Sequence, residues 1–257
     1  MSAIIEVRGV TKRFGGITAL SDASIDVPEQ GVLGLIGPNG AGKTTLFNVI
    51  SGHLRADRGT VTFRGQRIER RRASRLARLG MARSWQDVGV LPGLTVLDNV
   101  LIGRRTRHSE YPIWGLVRWR AARAEERQAR WQALEALHRV GLADDIASAQ
   151  VDDLAFAEQK LVAMARLLVA EPKVLLLDEP ASGLDTDSVD RLLRVIGSIA
   201  GAGVPVLLVE HNLAVVRKVA DRAVFMSNGR VVAVDTPDNL VRRDDLIELY
   251  FGSRWTT

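Results

Sequence analysis

One run of eight residues, Gly37-Pro38-Asn39-Gly40-Ala41-Gly42-Lys43-Thr44, restricts the folds open to this chain more than any other feature. It matches the spacing Gly-x-x-x-x-Gly-Lys-Thr, and its context is the one that this motif requires. Before it, Val32-Leu33-Gly34-Leu35-Ile36 reads as a short buried strand; after it, Thr44-Thr45-Leu46-Phe47-Asn48-Val49-Ile50 has helical character. Glycines let such a loop wrap closely, so that successive N–H groups and the helix N-terminus point at phosphates. Lys43 is placed to reach the β and γ phosphates and the Thr44 hydroxyl to hold Mg²⁺, with Thr45 next to them in the nucleotide-binding set.

Two further buried-type runs, Val174-Leu175-Leu176-Leu177 and Val204-Pro205-Val206-Leu207-Leu208-Val209, each follow a helical segment, as parallel strands with crossovers require. Two alternating segments near the start, Ile4-Ile5-Glu6-Val7-Arg8-Gly9-Val10 and Ser24-Ile25-Asp26-Val27 before Pro28, read as antiparallel strands. Near the end, Ala223-Val224-Phe225-Met226-Ser227 and Arg230-Val231-Val232-Ala233-Val234 flank Asn228-Gly229, a tight hairpin turn. Between these parts, residues 95–165 are helical in pattern, with Trp131, Leu134, Leu137 and Val140 spaced along one face. The expectation is an α/β chain: a nucleotide-binding core of residues 1–94 and 166–257, and a helical subdomain of residues 95–165.

A length of 257 residues suits one large domain or a main domain with a subdomain. No apolar run approaches the roughly 20 residues of a membrane span, and no secretory signal is visible at the N-terminus, so the cytoplasm is the expected compartment. There is no cysteine, which excludes disulfides and thiolate metal sites. The net charge of +5 is unevenly placed: Arg64, Arg67, Arg70, Arg71, Arg72, Arg75, Arg78 and Arg83 crowd one stretch with only Glu69 against them, and a second arginine-rich stretch spans residues 104–130. Such a stretch is either a solvated surface or a contact surface for an anion.

The residues after the phosphate loop suggest hydrolysis. Val174-Leu175-Leu176-Leu177-Asp178-Glu179 ends a buried strand in two carboxylates, Asp178 next to the metal and Glu179 free to orient water. Ser182-Gly183-Leu184-Asp185 follows, and one strand later come Val209-Glu210-His211-Asn212, where His211 could contact the γ-phosphate. His53, His108 and His138 have no such company and are expected to be structural.

This order of motifs resembles the ATP-binding subunits of ABC transporters over residues 4–252. The resemblance implies a P-loop NTPase cassette with a mixed core sheet, an N-terminal antiparallel β layer and an α-helical subdomain, binding ATP and Mg²⁺. It implies that Phe14, in Lys12-Arg13-Phe14-Gly15-Gly16, stacks on adenine, and that Gln86, in Arg83-Ser84-Trp85-Gln86-Asp87, joins Thr44 and Asp178 at the metal. His211 matches the switch histidine and Asp185 the acidic residue of the dimer-facing loop. Thr45-Leu46-Phe47-Asn48-Val49-Ile50-Ser51-Gly52, Ser84-Trp85-Gln86, the insertion before Trp131 and the ending Tyr250-Phe251-Gly252 look like the subfamily serving branched-chain amino acid importers.

One motif departs from the family. Its signature Leu-Ser-Gly-Gly-Gln corresponds here to Leu154-Ala155-Phe156-Ala157-Glu158-Gln159: Ala155 lacks a hydroxyl donor, and Ala157 adds a methyl where backbone approaches phosphate. The helix beginning near Glu158 still presents its N–H groups. In the family, two subunits sandwich ATP between one phosphate loop and the other signature, so a homodimer would carry the defect twice. The resemblance therefore favours a heterodimer with a second ABC ATPase, docked on transmembrane permease subunits at the cytoplasmic face of the membrane. A periplasmic or extracellular solute-binding protein is served indirectly. Gln86 and Asp87-Val88-Gly89-Val90-Leu91-Pro92 would line the groove receiving a permease helix, and Tyr111-Pro112-Ile113-Trp114-Gly115-Leu116-Val117-Arg118-Trp119-Arg120 could touch the membrane or the permease. Three rivals stand beside this reading: the motor of a lipopolysaccharide-type exporter, a nucleic-acid-associated ATPase, and a regulatory nucleotide-binding subunit with weak hydrolysis. Tandem cassettes, coiled-coil arms and zinc-binding cysteines are missing, so no nucleic-acid partner is expected.

Overall fold

The computed structural model describes residues 2–84, 89–104 and 119–251. The chain forms two compact units, Met1–Arg83 with Lys173–Thr257, and Ser84–Pro172.

The first unit holds two sheets. β1 (Ala3–Phe14) and β2 (Ile17–Pro28) form a long hairpin; β4 (Arg58–Phe63) and β5 (Gln66–Arg67) extend it to an antiparallel sheet of order β2-β1-β4-β5. Alternation buries Ile5, Val7, Val10, Leu20, Ile25, Val27, Val61 and Phe63 on one face. The second sheet contains β3 (Val32–Ile36), β6 (Met81–Arg83), β7 (Val174–Asp178), β8 (Val206–Val209), β9 (Arg222–Ser227) and β10 (Arg230–Asp235), in the order β10-β9-β3-β8-β7-β6. All pairings from β9 to β6 are parallel, and β10 closes the edge antiparallel to β9. Every residue of β3, β7 and β8 is buried, which is why these strands read as continuous apolar runs rather than alternating ones. Each fully buried leucine or valine among them contributes about 1.5–3 kcal/mol.

Four helices connect the strands of this unit: α1 (Lys43–Ile50), α2 (Ala73–Leu79), α6 (Thr186–Gly201) and α7 (Leu213–Val219); α8 (Pro237–Val241) and α9 (Asp244–Phe251) follow β10. The expected hairpin turn is present. Asn228 and Gly229 have φ of 49° and 75°, the positive pair that a two-residue turn needs. Its tip is tied twice: the Gly229 N–H donates to the Ala41 carbonyl, and the Ser21 N–H donates to the Gly229 carbonyl.

The second unit packs α3 (Val96–Ile102), α4 (Trp119–Arg139) and α5 (Phe156–Leu168) against one another. It begins before residue 95 because buried Asn99 holds the preceding segment: its amide donates to the Leu91 and Thr95 carbonyls and its Oδ1 accepts the Leu91 N–H at 2.7 Å. It ends after residue 165 because α5 runs to Leu168. One expectation on α4 is overturned. Trp131 is 58% exposed; the buried stripe is Ala129, Ala133, Ala136, Leu137 and Val140. At 3.6 residues per turn, position 131 points about 200° away from 129, off that stripe. Among the described residues no helix is long and apolar enough to cross a membrane.

Candidate nucleotide-binding and hydrolytic site

The site of the first unit is assembled at the C-terminal ends of neighbouring parallel strands, where ligands of open α/β sheets bind. β3 runs into the phosphate loop, β7 into Asp178 and Glu179, and β8 into Glu210 and His211. Strand order β3-β8-β7 brings these three ends side by side although the end of β3 lies more than 130 residues before the other two in sequence.

The loop glycines divide by task. A Cβ at Gly37, where φ is 147°, would lie 2.1 Å from the Met226 carbonyl oxygen, so this glycine is demanded by packing against β9. A Cβ at Gly40, where φ is 78°, would meet nothing within 4 Å, which leaves that stretch of backbone open to a ligand. Gly42 caps α1 without any side-chain bond to the first-turn N–H groups, so these donors stay available for an anion. Lys43 is 7% exposed, and its Nζ donates to the carbonyls of Gly37 at 2.6 Å and Pro38 at 3.0 Å. Burial pushes its ammonium below the usual lysine value, against the pull of Glu179 and Asp178. Thr44 beside it is exposed.

Asp178 is 2% exposed, and burial raises its carboxyl above the usual range, countered chiefly by Arg83. A carboxylate and a hydroxyl are hard-oxygen donors of the kind Mg²⁺ takes together with phosphate oxygens and water. Among the described residues no three His, Cys, Asp or Glu side chains cluster as a metal site of their own. Thr44 and Asp178 are oxygen donors that fit such an ion. Gln86, the third expected contact, lies outside the described residues, as do Trp85, Asp87 and Val88 and the segment 105–118, with His108.

Glu179 sits in the left-handed region at φ 47°, a conformation that costs a non-glycine residue about 1–2 kcal/mol. The turn is held by its N–H donating to the Val209 carbonyl at 2.9 Å and its carbonyl accepting the Ser182 N–H at 3.1 Å. The result aims the carboxylate toward β8, with Oε2 3.7 Å from Nδ1 of His211. Phe14 lies at the end of β1, 49% exposed and with the Lys12 ammonium 5.5 Å from its ring centroid, so one aromatic face is available for stacking. Asp185 caps α6, accepting the Ser188 N–H at 3.0 Å and the Ser188 hydroxyl at 2.9 Å, which holds its carboxyl below the usual range. His53 and His138 are engaged locally, with Ser51 and Asp144.

Three residues gain a place that their sequence context did not signal. Arg83 reads as part of the surface arginine crowd, yet its side chain is only 14% exposed. It ends β6, donates to Asn48 Oδ1 and Ser51 Oγ of α1 and its cap at 2.7 Å each, stacks 4.6 Å over Phe47, and reaches Asp178 at 3.5 Å. Tyr250 of α9 donates its hydroxyl to the His211 carbonyl, fixing the backbone at the end of β8 from the far end of the chain. The position of Arg83 at a strand end was the only available hint; for Tyr250 there was none. Glu210 is buried, and its Oε1 accepts the Ala181 N–H at 3.1 Å. Burial raises its carboxyl above its ordinary value, so the stability it contributes is complete below the unfolded carboxylate value of about 4.3 and is lost as pH rises through the folded value. Glu210→Gln keeps the acceptor and removes the buried charge. We expect it to melt above the natural protein at pH 8, with the difference vanishing near pH 4 in thermal scans.

In the second unit, residues 154–159 begin α5. Ala155 is the N-cap and offers no side-chain acceptor; Glu158 reaches back to the Ala155 N–H at 3.3 Å, half of a capping box. Gln159 donates to the Leu154 carbonyl, and Phe156 is exposed. Ala155→Ser completes the box and should stabilise the chain by about 1 kcal/mol, read as a rise in melting temperature.

The ABC transporter family model matches residues 20–182, from β2 past Glu179. The chain belongs to the ABC transporter family. The high-affinity branched-chain amino acid transport ATP-binding protein LivG of Salmonella typhimurium is 33% identical over 97% of this chain and 98% of its own length. The corresponding protein BraF of Pseudomonas aeruginosa is 34% identical over the same shares. Among solved structures, the ADP conformation of an ATP-binding cassette of an ABC transporter superposes with a TM-score of 0.81 at 26% identity, covering 98% of this chain and all of that one. The expectations of an α/β cassette and of the family are both met.

Proposed function

We propose that this chain is the ATP-hydrolysing subunit of an importer for branched-chain amino acids or related small polar solutes, at the cytoplasmic face of the membrane. Membership of the family and near full-length similarity to ATP-binding subunits of such importers support an ATP hydrolase in this role. The observation that carries the chemistry is the convergence of Lys43, Asp178, Glu179 and His211 on adjacent strand ends of one unit.

Phe14 offers an aromatic face to adenine. The loop of residues 37–45 supplies backbone donors and the Lys43 ammonium, whose low solvation strengthens its pull on phosphate oxygens. Thr44 and Asp178, with Gln86, would hold Mg²⁺, which neutralises phosphate charge when bound. Glu179 orients and deprotonates the attacking water, and His211 donates toward the terminal phosphate. Leu154, Ala155, Phe156, Ala157, Glu158, Gln159 and Asp185 serve the dimer face. With no hydroxyl at Ala155 and a methyl at Ala157, this signature is the weaker half of a composite site. We infer a heterodimer, in which the intact loop of this chain meets a complete signature from a second ABC ATPase. ATP-binding subunits of importers work with transmembrane permeases, and permease docking falls to Gln86 and residues 87–92. Nothing in the chain selects the solute.

Purification of the tagged chain from membranes tests this reading. Permease subunits and a second ATPase should accompany it, and hydrolysis by the complex should rise when leucine-loaded binding protein is added. Copurification of the tagged chain alone, or of two identical copies with full activity, would count against it.

A further inference from the structure

We propose that the first unit carries a second anion site, separate from the phosphate loop, that binds a multiply charged phosphate group. This inference does not rest on the importer reading. A cavity of about 660 Å³ is lined, among the described residues, by Arg55, Arg58, Arg67 and Arg70 with the two acids Asp57 and Glu69, and none of these belongs to the loop of residues 37–45. Each acid already has a cationic partner. Asp57 accepts from Lys12 Nζ at 2.8 Å and from the Arg13 N–H at 2.7 Å, and these bonds hold its carboxyl below the usual range. Glu69 is paired with Arg67 at 2.6 Å. Among the described residues Arg55, Arg58 and Arg70 take part in no ion pair or side-chain hydrogen bond that would satisfy them.

The surroundings do not compensate. Between positions 58 and 83 the sequence holds nine arginines and one acid, Glu69; only Arg83 of these turns inward to the hydrolytic site. Like charges gathered around one opening repel, and a Debye length of about 8 Å at physiological salt screens them only in part. A polyanion removes that repulsion. The volume lies within the roughly 300–1,000 Å³ of ordinary ligand sites. Planar guanidiniums bind phosphate oxygens in bidentate fashion, and three of them without an acidic partner around one opening call for more negative charge than a single carboxylate carries. Among the described residues no aromatic side chain lines the cavity to stack on a base, which disfavours single-stranded nucleic acid. The phosphate has two sources: the headgroup of an acidic phospholipid, or a soluble polyphosphate.

The test uses the full chain with its phosphate loop saturated by ADP. Tripolyphosphate is titrated in a calorimeter, and phosphatidylcholine vesicles with and without phosphatidic acid, whose phosphomonoester can carry two charges, are tested by flotation. At least one anionic probe should bind. The double variant Arg55→Gln/Arg70→Gln should weaken that binding by about tenfold or more. Arg72→Gln/Arg75→Gln, the same charge change outside the cavity, should alter it by less than about threefold. Binding of tripolyphosphate assigns the soluble source; binding of phosphatidic acid vesicles alone assigns the headgroup. Equal losses from the two double variants, no binding of either probe, or binding of duplex DNA alone overturns the proposal. Should the first pair fail to fold, Arg58→Gln/Arg70→Gln asks the same question.

Discussion

Glu179→Gln is expected to lower ATP hydrolysis by roughly 100- to 10,000-fold, the range of a removed general base, while nucleotide binding persists. The substitution is isosteric, and the backbone bonds that force Glu179 into its left-handed turn, to Val209 and from Ser182, do not involve its side chain. Only the anion is lost. With a negative charge removed from the neighbourhood of the phosphates, ATP affinity should hold or tighten. Phosphate release and calorimetric titration measure the two effects separately, and hydrolysis within threefold of the natural protein would remove Glu179 from the chemistry. In the assembled transporter the same change also probes asymmetry. If this chain's loop meets the partner's complete signature, Glu179→Gln here should abolish transport-coupled hydrolysis, and the equivalent change in the partner should leave much of it. The reverse result would sink the heterodimer.

Gly37→Ala is expected to destabilise the protein severely, and Gly40→Ala to spare it while weakening nucleotide binding. At Gly37 the new methyl would lie 2.1 Å from the Met226 carbonyl oxygen, a backbone atom of a central strand that cannot step aside. Overpacking of that kind costs about 3 kcal/mol or more, and at roughly 2–4 °C per kcal/mol the melting temperature should fall by about 6–12 °C, or the chain should fail to fold. At Gly40 nothing lies within 4 Å, so the penalty is only the backbone's, about 1 kcal/mol at φ 78°. There the methyl enters the space left to the ligand, and losing one bond to a phosphate costs about 10- to 100-fold in affinity. Thermal scans without nucleotide, paired with calorimetry, separate the two. Similar melting temperatures for both variants would show that the loop glycines share one task.

What was legible in the residues was what lies within a few positions of itself. The phosphate loop, the carboxylate pair ending β7, the Asn228-Gly229 turn and the continuous apolar strands each carry their own cue: a positive φ, a strand end, burial on both faces. Trp131 falls off the buried face of α4 because spacing names a helix face only once the buried stripe has a known phase, and beside Leu137 and Val140 that phase is set by Ala129, Ala133 and Ala136, small side chains that a hydrophobicity pattern underweights. That residue 91 is tied to the helices has no apolar cue, because the residue that binds it is polar Asn99.

Arg83 marks the boundary between the two kinds of knowledge. By composition it belongs with its exposed neighbours; by position in the sheet it is a nearly buried cation spanning α1 and Asp178. Composition and motif alone determined that this chain grips a triphosphate and where its acids stand along the chain. Which strand ends become neighbours, which arginine turns inward, and that a tyrosine at residue 250 braces the backbone of His211 were decided by the β3-β8-β7-β6 order. Lateral partners in a parallel sheet are joined by long crossovers, so no local pattern of residues encodes their adjacency.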